Sequence, residues 1–130
     1  MNQVQSVRPI RSVSVLMPTW QGMEFLERVL TALAAQRVAL PWDFHAIDSG
    51  STDRSVEILR RFPLQLIQIP LGTYIPGRVL NLGMSQGAQP YAVFVNSDCT
   101  PQHAEWLERL LEPLAADPKA AAVYGRQIAR

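Results

Sequence analysis

Phe44-His45-Ala46-Ile47-Asp48-Ser49-Gly50-Ser51-Thr52-Asp53 decides the fold. A mainly apolar run stops at a carboxylate, and small polar residues suited to opening a helix follow at once. That is the profile of a buried strand handing over to a helix. A similar ending recurs in Tyr91-Ala92-Val93-Phe94-Val95-Asn96-Ser97-Asp98. In an alternating strand–helix protein, a carboxylate at a strand's C-terminal end stands on the sheet edge where ligands bind. Two such aspartates, Asp48 and Asp98, point to a site for a nucleotide and a divalent cation.

Outward from that stretch, the same alternation continues. Upstream, Val13–Met17 reads as a buried strand ended by Pro18. Leu26, Val29, Leu30 and Leu33 then recur at helical spacing within Met23–Gln36. Pro41-Trp42-Asp43 turns the chain into the strand Phe44–Ile47. Downstream, Ser51-Thr52-Asp53 caps a helix carrying Val56, Ile58, Leu59 and Phe62, which Pro63 stops. Leu66–Ile69 is a third strand, and a loop rich in Gly and Pro runs from Pro70 to Gly77. A helix from about Arg78 to Gln86 and the strand Tyr91–Val95 follow. Pro101 and Gln102 open a helix whose buried face is Trp106, Leu107, Leu110, Leu111 and Leu114. Ala121–Tyr124 reads as a fifth strand, and polar Met1–Arg11 as a frayed lead-in.

Strands alternating with helices imply a mostly parallel sheet covered on both faces. Right-handed crossovers put every strand-to-helix loop on one edge. Pro18–Trp20, Asp48–Asp53, Gly72–Arg78 and Asn96–Thr100 are therefore expected to converge.

The composition fits one domain spanning residues 1–130, with 48% apolar and 18% charged residues. A net charge of +1 gives no footprint for nucleic acid. Cys99, the single cysteine, excludes an intrachain disulfide and is expected to be small and partly buried. No apolar run nears the ~20 residues of a membrane span, and no signal-peptide layout opens the chain, so a cytoplasmic protein is expected.

Several chemistries lack their motif. No Gly-x-Gly-x-x-Gly follows the first strand, and neither Gly-x-x-x-x-Gly-Lys-Ser/Thr nor Gly-x-Ser-x-Gly occurs. His45 and His103 are not spaced as a metal pair; the first reads as packed in its strand and the second as solvated. Asp48 is suited to a ribose hydroxyl or a base N–H, against a competing reading as a cap on local amides. Asp53 divides evenly between capping and ligand contact. Asn96 and Asp98, at i and i+2, face the same side of an extended chain and offer hard oxygens to Mg²⁺ or Mn²⁺. An Asx-type turn competes with that reading. Arg78, after Gly77 at a helix start, is placed to clamp a diphosphate, or is a plain surface arginine.

Taken together, these segments resemble a bacterial family 2 glycosyltransferase of the GT-A fold, from Val13 to about Gln127. Val13 to Trp20 is similar to the family's opening strand and its Pro-Thr loop beside the base. Asp48-Ser49-Gly50-Ser51-Thr52-Asp53 is similar to the aspartate-rich second loop, whose first Asp holds a uracil or thymine nucleotide. Gly77-Arg78 through Asn81-x-Gly83 looks like the Arg/Asn/Gly helix start. Asn96-Ser97-Asp98 falls where the family places Asp-x-Asp, with Asn96 replacing the first Asp and Asp98 kept at the metal-touching position. Thr100-Pro101, Trp106-Leu107 and Tyr124–Gln127 resemble a rhamnosyltransferase-like branch.

The resemblance implies a truncated GT-A domain, a twisted parallel sheet with helices on both faces, in which Pro18, Thr19, Asp48, Ser49, Gly77, Arg78, Asn96 and Ser97 bind the nucleotide. Asp98 would hold Mg²⁺ or Mn²⁺. The implied activity is inverting transfer of a sugar, with rhamnose as the specific suggestion, from a nucleotide-diphospho-sugar. The acceptor is a saccharide or lipid-linked saccharide in cell-surface polysaccharide synthesis, at the inner face of the membrane. The catalytic base would lie outside the chain, since Glu105 and Glu108 read as the solvated face of the last helix. Two other readings stand beside it: a nucleotide-binding or assembly module without turnover, self-associating through an open sheet edge, and, ranked lowest, a nucleotidyltransferase.

Overall fold

The computed structural model describes residues 9–129. Along the chain run β1 (Val13–Thr19), α1 (Met23–Ala34), β2 (Trp42–Asp48), α2 (Ser55–Leu59), β3 (Gln65–Gln68), α3 (Pro76–Gln86), β4 (Ala92–Phe94) and α4 (Trp106–Ala116). The strands form one sheet in the order β3-β2-β1-β4, and every pair is parallel. Parallel neighbours need crossovers, and the three helices α1, α2 and α3 supply them. All strand-to-helix loops consequently leave from one edge.

β1 runs through Pro18 rather than ending before it, with Pro18 opposite Ile47 and Thr19 opposite Asp48. Proline has no N–H to give a ladder, so a central strand normally excludes it. Here odd residues of β1 bond towards β2, as in Ser49 N–H to Thr19 O. Even residues bond towards β4, and the last such bond is Val95 N–H to Leu16 O. The missing N–H of Pro18 faces the side where β4 has already stopped.

Alternation along the strands separates two cores. Val13, Val15 and Met17 of β1, Phe44 and Ala46 of β2, and Val93 and Val95 in and after β4 pack with Leu26, Val29, Leu30 and Leu33 of α1. Ile58 and Leu59 of α2 and Leu107 and Leu111 of α4 join the same cluster. The opposite face carries Leu16 and Ile47 against α3. A methyl built on Gly83 would lie 3.1 Å from Ile47 Cδ1 and 3.5 Å from Leu16 Cδ1, so the missing side chain lets this helix lie close to the sheet. Lower on that face, buried His45 places Nε2 3.2 Å from Asp43 Oδ1, while Gln89 donates to Asp43 Oδ2.

Gln36, just past α1, ties the last helix in place. Its amide donates to His103 O and accepts from the Leu107 N–H, and Arg37 N–H donates to Ala104 O. Residues 101–105 are held there as turns, so α4 starts at Trp106 and not at Pro101. Leu107, Leu111 and Leu114 are its buried residues, whereas Trp106 and Leu110 are partly covered.

Other boundaries differ from expectation for local reasons. α3 begins at Pro76, where proline's missing N–H is harmless, so Gly77 and Arg78 lie inside its first turn. α2 ends at Leu59, before Phe62 and Pro63. The fifth strand expected at Ala121–Tyr124 is absent among the described residues. An apolar run becomes a strand only beside a free ladder, and this one lies along α4, with Gly125 near Trp106 and Leu110. Tyr124 is 95% exposed. Cys99 is exposed, not partly buried, because it follows the turn at the tip of β4. Most of the lead-in Met1–Arg11 lies outside the described residues, and residues 9–12 are irregular.

Candidate functional site at the strand tips

β1 and β2 end together. Thr19 and Asp48 are register partners, Ser49 N–H closes the ladder on Thr19 O, and Ile69 N–H donates to Asp48 O. All three side chains, of Thr19, Asp48 and Ser49, are buried. Asp48 Oδ2 accepts the Ser51 N–H at 3.0 Å. Asp48 Oδ1, Thr19 Oγ1 and Ser49 Oγ have no hydrogen-bond partner among the described residues. Buried polar atoms are nearly always paired in a folded protein. Ser14 Oγ, Asp43 Oδ1 and both His45 nitrogens are likewise without a hydrogen bond lower in the sheet, but at the strand tips the unpaired atoms are one carboxylate oxygen and two hydroxyls on adjoining residues. The capping reading of Asp48 holds for one oxygen, Oδ2, while the other is buried and unpaired.

The tip of β4 joins them. A methyl on Gly22 would sit 3.0 Å from Thr19 Oγ1 and 3.5 Å from Ser97 Oγ, so Ser97 and Thr19 approach the same glycine. Asp98 follows Ser97, which puts it at the same end of the sheet as Asp48. The expected i, i+2 geometry of Asn96 and Asp98 does not hold, however. The strand ends at Phe94, and Cys99 N–H folds back to Asn96 O at 3.0 Å. This closes a turn with Ser97 and Asp98 at its centre, so the chain is not extended there. Asn96 and Asp98 are both exposed.

Asp53 is a structural residue of two helices at once. Its Oδ1 accepts the Ser55 N–H at 2.9 Å where α2 begins, and its Oδ2 accepts the Met23 N–H at 3.2 Å where α1 begins. Burial pushes its carboxyl up, but hydrogen bonds from Ser55, Met23 and its own amide outweigh that and hold it below the usual aspartate range. The Ser55 hydroxyl in turn accepts the Gly22 N–H at 2.8 Å. The capping chemistry that Ser51-Thr52-Asp53 offers α2 extends to α1 as well.

Gln21, which no motif marks, makes most of the hydrogen bonds between these loops. Its Oε1 accepts the amides of Thr52 (2.7 Å) and Asp53 (3.1 Å), and its Nε2 donates to Thr52 Oγ1 (3.0 Å). Its backbone N–H donates to Ser51 Oγ at 2.9 Å. The residue has φ 49°, the left-handed region that side chains other than glycine's seldom occupy. A polar residue before Gly22 at a strand exit is the only sequence signal it carries.

The third loop closes over the second. Gly50 has φ +79°, and a methyl there would lie 2.6 Å from the Leu71 backbone, so this glycine is what lets residue 71 rest on the Asp48 loop. From Leu71 to Arg78 every residue is exposed. Arg78 makes no ion pair among the described residues. It lies five residues before Gly83, which touches Ile47 and Leu16. At 1.5 Å of rise per residue, that puts it roughly 7 Å further towards the loop edge than the Gly83 contact. Pro18 is half-buried beneath this rim and Gly77 exposed above it.

Two open grooves lie elsewhere. One of about 480 Å³ is lined by Leu30, Trp42, Phe62 and neighbours, and one of about 530 Å³ runs between α4 and residues 122–128. Neither contains a strand-tip residue. As to metals, no cluster of three His, Cys, Asp or Glu side chains fit to hold an ion exists among the described residues.

Comparison with known proteins gives a consistent answer. Chondroitin synthase of Escherichia coli is 25% identical over 122 residues, covering 91% of this chain and 18% of that protein. S. aureus TarS 1–349 in complex with UDP superposes with a TM-score of 0.67 at 23% identity, over 78% of this chain and 32% of that one. The mannosyltransferase PcManGT from Pyrobaculum calidifontis, in complex with GDP-Man and Mn²⁺, gives 0.70 at 22% identity, over 90% and 37%. The chain therefore spans less than half the length of each. At these identities the solved structures establish an α/β GT-A-like fold. Residues 14–130 match glycosyl transferase family 2 as a whole, and it is to this family that the chain belongs.

Proposed function

We propose that the strand-tip rim is the donor site of a glycosyl transfer from a nucleotide-diphospho-sugar. The observation that carries this is the trio of buried, unpartnered atoms Asp48 Oδ1, Thr19 Oγ1 and Ser49 Oγ. A carboxylate oxygen flanked by hydroxyls complements a uracil or thymine edge, whose imide N–H lies between two carbonyls. The nucleoside enters over Thr19 and Asp48, with Pro18 forming the wall beneath it. Its diphosphate extends towards the first turn of α3, where Gly77 leaves the backbone open and Arg78 supplies a guanidinium. Asn96 and Ser97 line the β4 side.

A divalent cation fits this rim as a companion of the nucleotide. Mg²⁺ and Mn²⁺ need only one or two protein carboxylates when a diphosphate completes the shell. Asp98, exposed next to Ser97 at the tip of β4, is the residue that would hold it. The chemistry such an ion would supply, held by Asp98, is charge neutralisation on the leaving diphosphate. The complexes of relatives with UDP, and with GDP-Man and Mn²⁺, support this chemistry by analogy.

The finer reading is an inverting transfer of rhamnose to a saccharide or lipid-linked acceptor, for a cell-surface polysaccharide made at the inner membrane face. Its support is the likeness of Thr100-Pro101 and Tyr124–Gln127 to that branch. No residue of this chain is assigned as the base for the acceptor hydroxyl. Calorimetry with UDP, dTDP and GDP, each with Mn²⁺, tests the donor site. Binding of one of them, lost in Asp48→Ala, is expected. No heat above background with any nucleotide removes the proposal. A transfer assay on the same sample separates an enzyme from a module that binds without turnover.

A further inference from the structure

We infer that Gln21 is a positioning residue that keeps Asp48 Oδ1 available for the nucleoside. The inference rests on the donor-site reading above and deepens it. After β2 ends, the amides of Ser51, Thr52 and Asp53 follow one another on a tight loop at the exposed rim, and each finds an acceptor within the protein. Ser51 takes Asp48 Oδ2. The other two converge on Gln21 Oε1. The Asp53 carboxylate of this loop is already engaged by the Ser55 and Met23 amides, which leaves Asp48 Oδ1 as the loop's carboxylate oxygen without a partner. A carboxylate attracts backbone amides more strongly than a neutral carbonyl does. Without Gln21, the loop would be expected to tighten onto Asp48 and occupy it.

The geometry around Gln21 is built for this task. Its amide uses both ends on one loop, accepting twice and donating to Thr52 Oγ1. The left-handed backbone at φ 49° turns the side chain across from β1 to β2, and the bond from Gln21 N–H to Ser51 Oγ holds that turn. A non-glycine residue kept in this strained region is a sign that its side chain is needed there. The role inferred for Gln21 is indirect: it acts through the 51–53 loop.

The test uses three forms of the chain. Gln21→Gly relaxes the backbone strain and removes the side chain, so a folding defect is not built into the variant. Gln21→Glu keeps an acceptor for both amides, and Thr52 Oγ1 can turn to donate. Amide exchange at Thr52 and Asp53 is read by NMR, and affinity for whichever of UDP, dTDP or GDP binds the wild type is read by calorimetry. In Gln21→Gly, exchange at both amides accelerates and affinity falls about tenfold, comparable to the loss of one charged hydrogen bond. In Gln21→Glu both return towards wild type. Unchanged affinity in a folded Gln21→Gly overturns the inference alone, as does unchanged exchange. A wild type that binds no nucleotide removes the donor-site reading and this role with it.

Discussion

Thr19 and Asp48 face each other across the last rung of the β1–β2 ladder, and each ends in a buried oxygen that no described residue hydrogen-bonds. Such a pair is unfavourable in the ligand-free protein. An unpaired buried hydroxyl costs about 1–3 kcal/mol relative to a paired one. On the donor-site proposal, a nucleoside that pairs these atoms would recover that free energy on binding.

Thr19→Val follows directly. It replaces the orphaned hydroxyl with a methyl of the same shape, so the ligand-free chain should become more stable by about 1 kcal/mol. Nucleotide affinity should fall by roughly tenfold in the same variant. Urea denaturation and calorimetry read the two effects separately. A loss of stability would show that the Thr19 hydroxyl already has a partner.

Gly50→Ala is expected to be far more harmful than its size suggests. Backbone at φ +79° strains any side chain, and the new methyl would meet the Leu71 backbone at 2.6 Å. Backbone offers no rotamer by which to yield. Strain and overpacking together give a loss of about 2–5 kcal/mol, measurable as a lower urea midpoint. Gly83→Ala makes a useful contrast: its nearest neighbour is the end of the Ile47 side chain at 3.1 Å, which can shift. A near-neutral Gly50→Ala would mean that residues 70–72 do not rest on the Asp48 loop.

How much of this was legible in the chain depends on whether a feature is local. The α/β class, four of the five expected strands and the α1 face of Leu26, Val29, Leu30 and Leu33 follow from periodicity, and the structure has them. The place of Asp48 at the tip of β2 is legible because a carboxylate that ends an apolar run is visible in one dimension. The strand at Ala121–Tyr124 failed because strand formation depends on a neighbouring edge, which periodicity does not report. Pro18 reads as a stop in the sequence, since its harmlessness depends on where β4 ends. Gln21 was invisible for the same reason: its partners lie thirty residues away, on a loop that only the parallel register brings alongside.

Acid sensitivity should trace to Asp53. Its carboxyl is held below the ordinary value of 3.8, so it contributes stability that is complete above that value. The contribution is lost as pH falls through the lower folded-state value, when protonation weakens the caps on α1 and α2. Glu57 is also held low, by a hydrogen bond and charge from Arg54, but that pair is exposed and salt screens it. Denaturation of Asp53→Asn in high salt should show a lower stability at neutral pH and a shallower decline below pH 3.8 than wild type. An identical decline in both proteins would move the acid-labile contact elsewhere.

Asp98 and Arg78 come to the rim from opposite neighbours of the central strands, one after β4 and one in α3. Both are exposed, so replacing either with alanine should change stability by no more than about 0.5 kcal/mol. Their effects on nucleotide binding should separate with the ion. Arg78 would act on the diphosphate directly, and Arg78→Ala should weaken binding with Mn²⁺ and in EDTA alike, more so at low salt. Asp98 would act through the cation, so Asp98→Ala should weaken binding only when Mn²⁺ is present. In EDTA, removing its charge relieves repulsion of the diphosphate, and affinity should hold or rise. Calorimetry of both variants with and without EDTA therefore gives opposite patterns. Equal losses in Asp98→Ala under the two conditions would show that its carboxylate touches the nucleotide itself, and the cation would have to be held elsewhere.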